Sequence, residues 1–337
     1  MSEQASRAVV EMDVPAPMRD GTRLYADIYR PEGDGPFPAL LQRTPYDKRQ
    51  IGAPSRPLNV RLAIARGFAV VIQDVRGRFA SEGAFHTFVN EADDGYDTVE
   101  WVAGLPWCSG RVGMIGPSYV GATQWLAASA RPPHLSGIFP MVTASDYHEG
   151  WTYQGGVFSL GFNVSWCIRP LAAANSQHLK AEHGLGDAEA SEMVNAMDHQ
   201  EEAFRALPLT GQPWLRRDTS SYFYEWLEHP SDDEYWQQMS IERAHPSVTV
   251  PSFNVGGWYD IFLKGTIRNY KLMRQNGGSE EARNGSRLLI GPWSHSTIAN
   301  NMVGDVDFSH RATAAGLFLD DVTMRWYDHQ LRGQDNG

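Results

Sequence analysis

The chain has 337 residues, a length that suits one large domain or two ordinary ones. Hydrophobic residues make up 42% of it and charged residues 20%, which is the balance of a globular protein with a sizeable core and argues against disorder. The formal net charge of −11 argues against nucleic acids and anionic membranes as partners, because either would need a basic patch.

Short β-rich runs alternate with helical runs over residues 1–145. The predicted strands are Leu24–Tyr29, Phe37–Gln42, Phe68–Gln73, Val112–Ile115 and Gly137–Val142. The predicted helices are Leu58–Arg66, Glu91–Ala103 and Tyr119–Ala130. Such alternation is typical of an α/β protein with a mostly parallel sheet and helices on both faces.

The alternation stops at about Asp146 and resumes after His245. The stretch between them is aromatic and polar, with a helical run over Ala188–Leu207 and no clear buried strand. Strand signals return at Val250–Val255 and Arg287–Ile290. We interpret the stretch as an inserted helical lid rather than a separate helical domain, because a lid needs no second core. The catalytic domain is then 1–145 with 246–337, and the lid is 146–245.

Cysteine usage and the N-terminus bear on where the protein works. Cys108 and Cys167 each lie beside a tryptophan, which predicts packed free thiols rather than a disulfide framework or a zinc site. The segment Met1–Asp20 has no apolar run of signal-peptide type, and no stretch reaches the length that spans a bilayer. We therefore expect a cytoplasmic protein.

The segment Gly116–Gly121, with the sequence Gly-Pro-Ser-Tyr-Val-Gly, lies between a predicted strand and a predicted helix. A serine nucleophile needs a tight turn of this kind, because the turn exposes the hydroxyl above the sheet and small neighbours avoid a clash. The segment departs from G-x-S-x-G, since Val120 occupies the second glycine position and Gly121 comes one residue later. On spacing alone, an ordinary glycine-rich turn explains it about equally well.

Asp260 and His295 follow Ser118 in the order that an α/β-hydrolase triad requires. Each comes just past the end of a predicted strand, and loops at the carboxyl ends of strands build the sites of open α/β sheets. We therefore predict Ser118 as nucleophile, His295 as general base, and Asp260 as the group that orients His295 and stabilises its cation.

The other candidate acids and histidines are predicted to have structural or surface roles. Asp74 and Asp146 are the alternative acids, but Asp74 precedes the nucleophile, and its neighbours Arg76 and Arg78 favour a structural ion pair. His86 is predicted to be structural. The remaining histidines are predicted to lie on the surface: His134, His148, His178, His183, His199, His229, His245, His310 and His329.

Six segments carry a resemblance that runs through nearly the whole chain: Pro17–Gly21, Pro45–Lys48, Gln73–Gly83, Gly116–Gly121, Gly257–Asp260 and Gly291–His295. They resemble the family of bacterial cocaine esterase, α-amino-acid ester hydrolases, glutaryl-cephalosporin acylases and X-prolyl dipeptidyl peptidases. Among these, cocaine esterase is the most similar, because the run around Ser81 and the six residues 291–296, Gly-Pro-Trp-Ser-His-Ser, are especially alike.

The resemblance implies an α/β-hydrolase fold with the triad named above. It also implies an oxyanion hole formed by the backbone N–H of Tyr119 and the phenol of Tyr46. Aromatic side chains are implied to line the acyl pocket, although core packing explains them almost equally well: Trp151, Trp166 and Phe262. Members of the family usually carry a C-terminal β jelly roll, which we expect to be absent from this chain. Without the jelly roll, the apolar face that it would cover is expected to be exposed. Exposed apolar faces favour association, so a homo-oligomer is one of the alternatives for this chain.

The resulting prediction is a serine carboxylesterase that cleaves a small-molecule ester through an acyl-enzyme intermediate. It needs no cofactor, because the sequence lacks a clustered metal-ligand set and triad chemistry requires none. The alternatives are an amidase, peptidase or β-lactam acylase with the same triad and, from another class, a non-catalytic binding module. A peptidase or amino-ester hydrolase would need carboxylates for a free α-amino group, and the lid offers Asp146, Glu149, Glu225 and Asp232.

Overall fold

The computed structural model of the protein describes residues 7–50, 58–196, 198–296, 298 and 300–336. Within these residues the strands are β1 Ala8–Pro17, β2 Arg23–Pro31, β3 Phe37–Thr44, β4 Ala69–Asp74, β5 Cys108–Pro117, β6 Leu135–Met141, β7 Tyr153–Gln154, β8 Val157–Phe158, β9 Phe253–Tyr259, β10 Arg287–Ser294, β11 Met302–Val303 and β12 Val306–Asp307. Eight of them form one sheet in the order β1-β2-β4-β3-β5-β6-β9-β10, and the four shortest form two separate hairpins.

The helices within the same residues are α1 Val60–Ala65, α2 Glu91–Ala103, α3 Tyr119–Ser129, α4 Leu160–Trp166, α5 Ser176–His183, α6 Asp187–Asn195, α7 Gln200–Arg205, α8 Ser221–Glu228, α9 Glu234–Gln237, α10 Ile241–Ala244, α11 Leu263–Asn276, α12 Glu280–Gly285 and α13 Leu319–Arg332. A turn of π-helix, Cys167–Ala172, continues α4. Among the described residues, every helix is too short or too polar to cross a membrane.

Six strands of the main sheet run parallel, and β1 and β2 pair antiparallel at one edge. Neighbouring residues of a strand face opposite sides of the sheet, and the core divides accordingly. Leu41 and Val71 belong to one apolar cluster, while Leu40 and Val70 belong to another. Helices α2 and α3 supply residues to the first cluster, and α1 and α13 to the second. These layers confirm the mostly parallel α/β sheet with helices on both faces.

The segment between β6 and β9 is helical, with α4 to α10 and the β7–β8 hairpin. Its buried tryptophans Trp151, Trp226 and Trp236 belong to the same apolar cluster as Leu41 of β3 and Trp125 of α3. The segment therefore shares one continuous core with the sheet. Its division from the rest of the chain as a lid stays a prediction.

His245 corrects the expectation that the remaining histidines lie on the surface. It is fully buried, its Nε2 lies 3.1 Å from Oδ1 of Asn269, and its ring meets that of Trp125 edge-on. Burial lowers the pKa of His245 to about 4, since an imidazolium there would lose its hydration. His148 is also buried, at 8% exposure. A histidine packed among apolar and amide side chains is neutral, and the polarity of the neighbouring sequence does not show that it is buried.

Buried His245 is expected to make the stability of the fold depend on pH. The unfolded residue titrates at about 6.5, whereas burial lowers its folded pKa to about 4. Between these values the unfolded chain binds more protons, so the free energy of unfolding decreases as the pH falls, by up to about 3 kcal/mol. Denaturant titrations at pH 7 and about pH 4.5 measure the change. His245→Gln retains a donor for Asn269 but does not titrate, so an equal pH dependence in both proteins would contradict the assignment.

Candidate active site

Ser118, Asp260 and His295 each come directly after a parallel strand, namely β5, β9 and β10. His295 Nε2 lies 3.0 Å from Ser118 Oγ, and His295 Nδ1 lies 2.8 Å from Asp260 Oδ1. Both distances are those of hydrogen bonds. The sheet therefore brings the three predicted side chains, far apart in sequence, into one hydrogen-bonded chain at its carboxyl edge.

The turn around Ser118 has a strained backbone. Ser118 has φ 58° and ψ −125°, a conformation that a residue with a side chain adopts only where its surroundings enforce it. Gly116 is required nearby, because a Cβ there would lie 2.2 Å from Cγ1 of Val120. Gly121 lets α3 approach the chain after β6, since its Cβ would lie 2.9 Å from Cβ of Thr143. Gly121, which comes one residue later than the second glycine of G-x-S-x-G, is therefore the glycine that makes room for the chain after β6.

Asp260 has a fully buried carboxylate, while the side chain of His295 is 25% exposed. Oδ2 of Asp260 accepts no hydrogen bond from the described residues. The ring of Phe262 meets the His295 ring edge-on at 5.0 Å and shields this pair from one side. In such surroundings of low polarity, the carboxylate interacts with an imidazolium more strongly than it would in water.

Two tyrosines lie near Ser118: Tyr119 is the next residue of the chain, and Tyr46 lines the same cavity as Ser118. Tyr46 follows β3, the neighbour of β5, and its hydroxyl accepts a hydrogen bond of 3.0 Å from Nε1 of Trp166. Tyr119 is the first residue of α3, a position whose backbone N–H has no partner within the helix. The Tyr119 side chain is buried elsewhere, because its hydroxyl donates to Glu91 Oε1 at 2.9 Å.

Arg78 joins the loop that carries Tyr46 to the helical segment behind it. Its side chain is 2% exposed and donates to three backbone carbonyls, those of Pro45 at 2.8 Å, Leu171 at 2.5 Å and Pro170 at 3.0 Å. Burial lowers the pKa of Arg78 to about 10, so the guanidinium is still charged at neutral pH. We call this arrangement the Arg78 clamp; it fixes the Tyr46 loop against the π-helical turn.

The ion pair expected for Asp74 has a different partner. Asp74 lies 3.2 Å from Nζ of Lys48, and burial raises the pKa of this carboxyl group to about 6. Arg76 instead pairs with Asp94 at 2.6 Å and with Asp20 at 2.7 Å. Asp74 is thus structural, but Lys48 rather than either neighbouring arginine neutralises it.

A cavity of about 590 Å³ opens beside Ser118. One helical face forms a wall of it, with side chains three or four residues apart: Phe162, Trp166, Arg169 and Ala173. The other described residues that line it are Gln42, Tyr46, Gln50, Pro117, Ser118, Val120, Val142, Pro170, Ala174, Val194, His295, Ser296 and Ile298. The volume is typical of a site for a small organic molecule.

The three predicted pocket aromatics occupy different places. Trp166 lines the cavity, whereas Trp151 and Phe262 are not among its described lining residues. Those two rings stack on each other at 4.3 Å, and each is 1% exposed. Phe262 packs edge-on against the His295 ring, and the expectation that Trp151 and Phe262 line the acyl pocket stays a prediction. Sequence reasoning missed Phe162, although it precedes Trp166 by one helical turn.

The lid carboxylates proposed for an α-amino group are absent from the described cavity lining and have other partners. Asp146 accepts from Ser240 and Glu149 pairs with Lys264. The other two likewise pair with basic side chains, Glu225 with His86 and Asp232 with Arg243. The charged side chain that does line the cavity outside the triad is Arg169, which sequence reasoning also missed. Among the described residues, no cluster of three or more His, Cys, Asp and Glu side chains is arranged to hold a metal ion.

Comparison with known proteins identifies the family. A family profile described as X-Pro dipeptidyl-peptidase (S15 family) matches residues 20–297. Cocaine esterase from Rhodococcus sp. (strain MB1 Bresler) is 35% identical over 96% of this chain, which spans 55% of that protein. The fold is similar to an aminopeptidase from a Thaumarchaeota archaeon, with TM-score 0.71, 23% identity and coverage of 99% and 56% of the two chains. It is also similar to a CocE/NonD family hydrolase from Staphylococcus aureus, with TM-score 0.69, 21% identity and coverage of 98% and 51%. The chain therefore belongs to the S15 family, which confirms the resemblance seen in its sequence.

Proposed function

We propose that the protein is a serine carboxylesterase that hydrolyses a small-molecule ester through an acyl-enzyme intermediate on Ser118. The observation that carries the proposal is the hydrogen-bonded chain Ser118–His295–Asp260 beside a cavity of small-molecule size. The similarity to a protein named cocaine esterase supports an ester as the substrate.

In the acylation half, His295 Nε2 accepts the proton of Ser118 Oγ as this oxygen attacks the carbonyl carbon of the ester. The tetrahedral intermediate collapses when the protonated His295 donates to the alkoxide, which leaves as an alcohol. Asp260 stabilises the imidazolium through its hydrogen bond of 2.8 Å to Nδ1. The acyl group is then an ester of Ser118.

In the deacylation half, water repeats the same steps. His295 accepts a proton from a water molecule, whose oxygen attacks the acyl carbon, and then returns the proton to Ser118 Oγ. A carboxylic acid leaves and the enzyme is restored. The net reaction is ester plus water to alcohol plus carboxylic acid, and it requires no redox partner.

Two groups are proposed to stabilise the negative oxygen of the tetrahedral intermediates. They are the backbone N–H of Tyr119, at the start of α3, and the hydroxyl of Tyr46. The hydrogen bond from Trp166 to the oxygen of Tyr46 orients the phenol and uses none of its donor capacity. The positive end of the α3 helix dipole adds to the same effect.

An ester is favoured over a peptide with a free N-terminus. A site for an α-ammonium group needs a carboxylate, and the lid carboxylates considered for this role pair with other side chains. An amidase or peptidase that uses the same triad is the alternative that the experiment must separate.

A side-by-side assay tests the proposed reaction. We expect 4-nitrophenyl esters to be hydrolysed with kcat/KM at least about a hundredfold above amino-acid amides and Xaa-Pro anilides, a margin of roughly 3 kcal/mol. A fluorophosphonate probe should label Ser118, as mapped by peptide mass spectrometry. Faster cleavage of Xaa-Pro anilides would indicate a peptidase, and the absence of both turnover and labelling would indicate a binding module.

A further inference from the structure

Arg169 is an unusual residue for the cavity of so acidic a protein. The chain carries 40 acidic and 29 basic Lys and Arg side chains. Nevertheless, among the described lining residues, the charged side chain outside the triad is an arginine. Arg169 follows Trp166 by three residues, which places both on one face of the helical segment.

The guanidinium of Arg169 has no structural partner among the residues that the structure describes. It forms no ion pair and no side-chain hydrogen bond with the described residues, and it is exposed at the cavity. Within the described part of the chain, the cation therefore has no carboxylate that neutralises it.

A second donor faces the same cavity. Gln42 is 2% exposed, lines the cavity, and has an amide nitrogen without a hydrogen-bond acceptor among the described residues. Buried donors normally have an acceptor, because leaving one unpaired is costly. Arg169 and Gln42 both indicate a ligand with negative or acceptor atoms.

The chemistry of arginine narrows the ligand class. Its planar guanidinium forms paired hydrogen bonds with a carboxylate, and the largely apolar wall beside Arg169 weakens competition from water. Since the net charge of −11 repels anions at long range, a local cation is what an anionic substrate would need for binding.

We propose that Arg169 binds a free carboxylate of the substrate, so that the preferred substrates are carboxylate-bearing esters, such as the half-esters of dicarboxylic acids. This inference rests on the proposed esterase function, because Arg169 lines the same cavity as Ser118. The hydrolytic step is unchanged: water is consumed, the ester bond breaks, and a dicarboxylate and an alcohol are released.

Pairs of substrates that differ in one carboxylate test whether Arg169 binds this group. Mono-4-nitrophenyl adipate and 4-nitrophenyl hexanoate have acyl chains of equal length and the same leaving group, and they differ in the terminal carboxylate. The ratio of their kcat/KM values should fall about tenfold in Arg169→Met, the size of one exposed charge-assisted contact. Arg169→Lys should restore part of it, and added salt should lower it in the wild type. A second pair, 4-carboxyphenyl butanoate and phenyl butanoate, places the carboxylate on the alcohol side.

Arg205→Met is the matched control, because Arg205 is an exposed arginine of the inserted segment that is not among the described cavity-lining residues. It should leave both ratios unchanged. If neither ratio responds to Arg169→Met, the inference is overturned while hydrolysis of the neutral esters still supports the esterase. If no ester is hydrolysed, titration calorimetry tests the inference separately. It compares the binding of adipic monoanilide, which carries a carboxylate, with the binding of hexananilide, which does not. Arg169→Met should then weaken only the monoanilide, and equal binding before and after substitution would overturn the inference.

Discussion

Ser118→Ala is expected to reduce kcat for ester hydrolysis by about a millionfold, because serine and histidine of a triad act as one unit. The hydroxyl oxygen of Ser118 lies 3.0 Å from His295 Nε2, and its loss removes the atom that would carry the acyl group. The remaining turnover would come from water that the cavity and the oxyanion donors bind near the ester.

The strained backbone of Ser118 makes the control for this variant important. Alanine meets the same steric cost as serine at φ 58°, whereas glycine adopts this conformation freely. Both Ser118→Ala and Ser118→Gly should therefore fold, with the glycine variant at least as stable in a thermal melt. A folded Ser118→Ala protein with esterase activity near that of the wild type would rule out Ser118 as nucleophile.

Tyr46→Phe is expected to lower kcat by about 100- to 1,000-fold with a smaller effect on KM, a loss of roughly 3–4 kcal/mol in transition-state stabilisation. The phenol of Tyr46 would donate more strongly to the negative oxygen of the intermediate than to the ester carbonyl. Phenylalanine keeps the ring and its packing, so steady-state kinetics on a neutral aryl ester measure the hydroxyl alone.

Tyr153→Phe is a suitable control for the loss of a tyrosine hydroxyl. Tyr153 Oη donates to the carbonyl of Trp226 at 2.8 Å, is buried, and is not among the described cavity-lining residues. Its loss should cost about 1 kcal/mol of stability without a comparable fall in kcat. If Tyr46→Phe keeps kcat within about threefold of the wild type, an effect too small for an oxyanion donor, the assigned role of Tyr46 is wrong.

Strands and strand-end residues could be predicted from the sequence because both depend on local pattern. The buried strand β4 appears as an apolar run, and Ser118, Asp260 and His295 each come within five residues of the end of a predicted strand. Parallel pairing then brings strand ends to one edge without further information. The edge strand β1, Ala8–Pro17, was not predicted, since its alternation of exposed and half-buried residues gives a weak signal.

Partners that do not both lie at strand ends could not be predicted. The pairing of Asp74 with Lys48 depends on how the loop after β3 folds back. The burial of His245 depends on α3 and α11, which supply Trp125 and Asn269. Arg169 had a usable signal in its spacing from Trp166, but the sequence does not state which helical face meets the cavity.

The Arg78 clamp has a consequence for how the specificity of this cavity can be changed. Arg78 donates its hydrogen bonds to the main-chain carbonyls of Pro45, Pro170 and Leu171, and its guanidinium also lies over two aromatic rings, those of Phe79 and Phe85. At the three carbonyls it constrains the path of the backbone and not the identity of the side chains. If the segment between β6 and β9 took another backbone path, the buried guanidinium of Arg78 would lose its acceptors, at a cost of about 3–5 kcal/mol. The clamp therefore fixes the backbone of this cavity wall, whereas side chains such as Phe162 and Arg169 can be replaced there without loss of any of its hydrogen bonds.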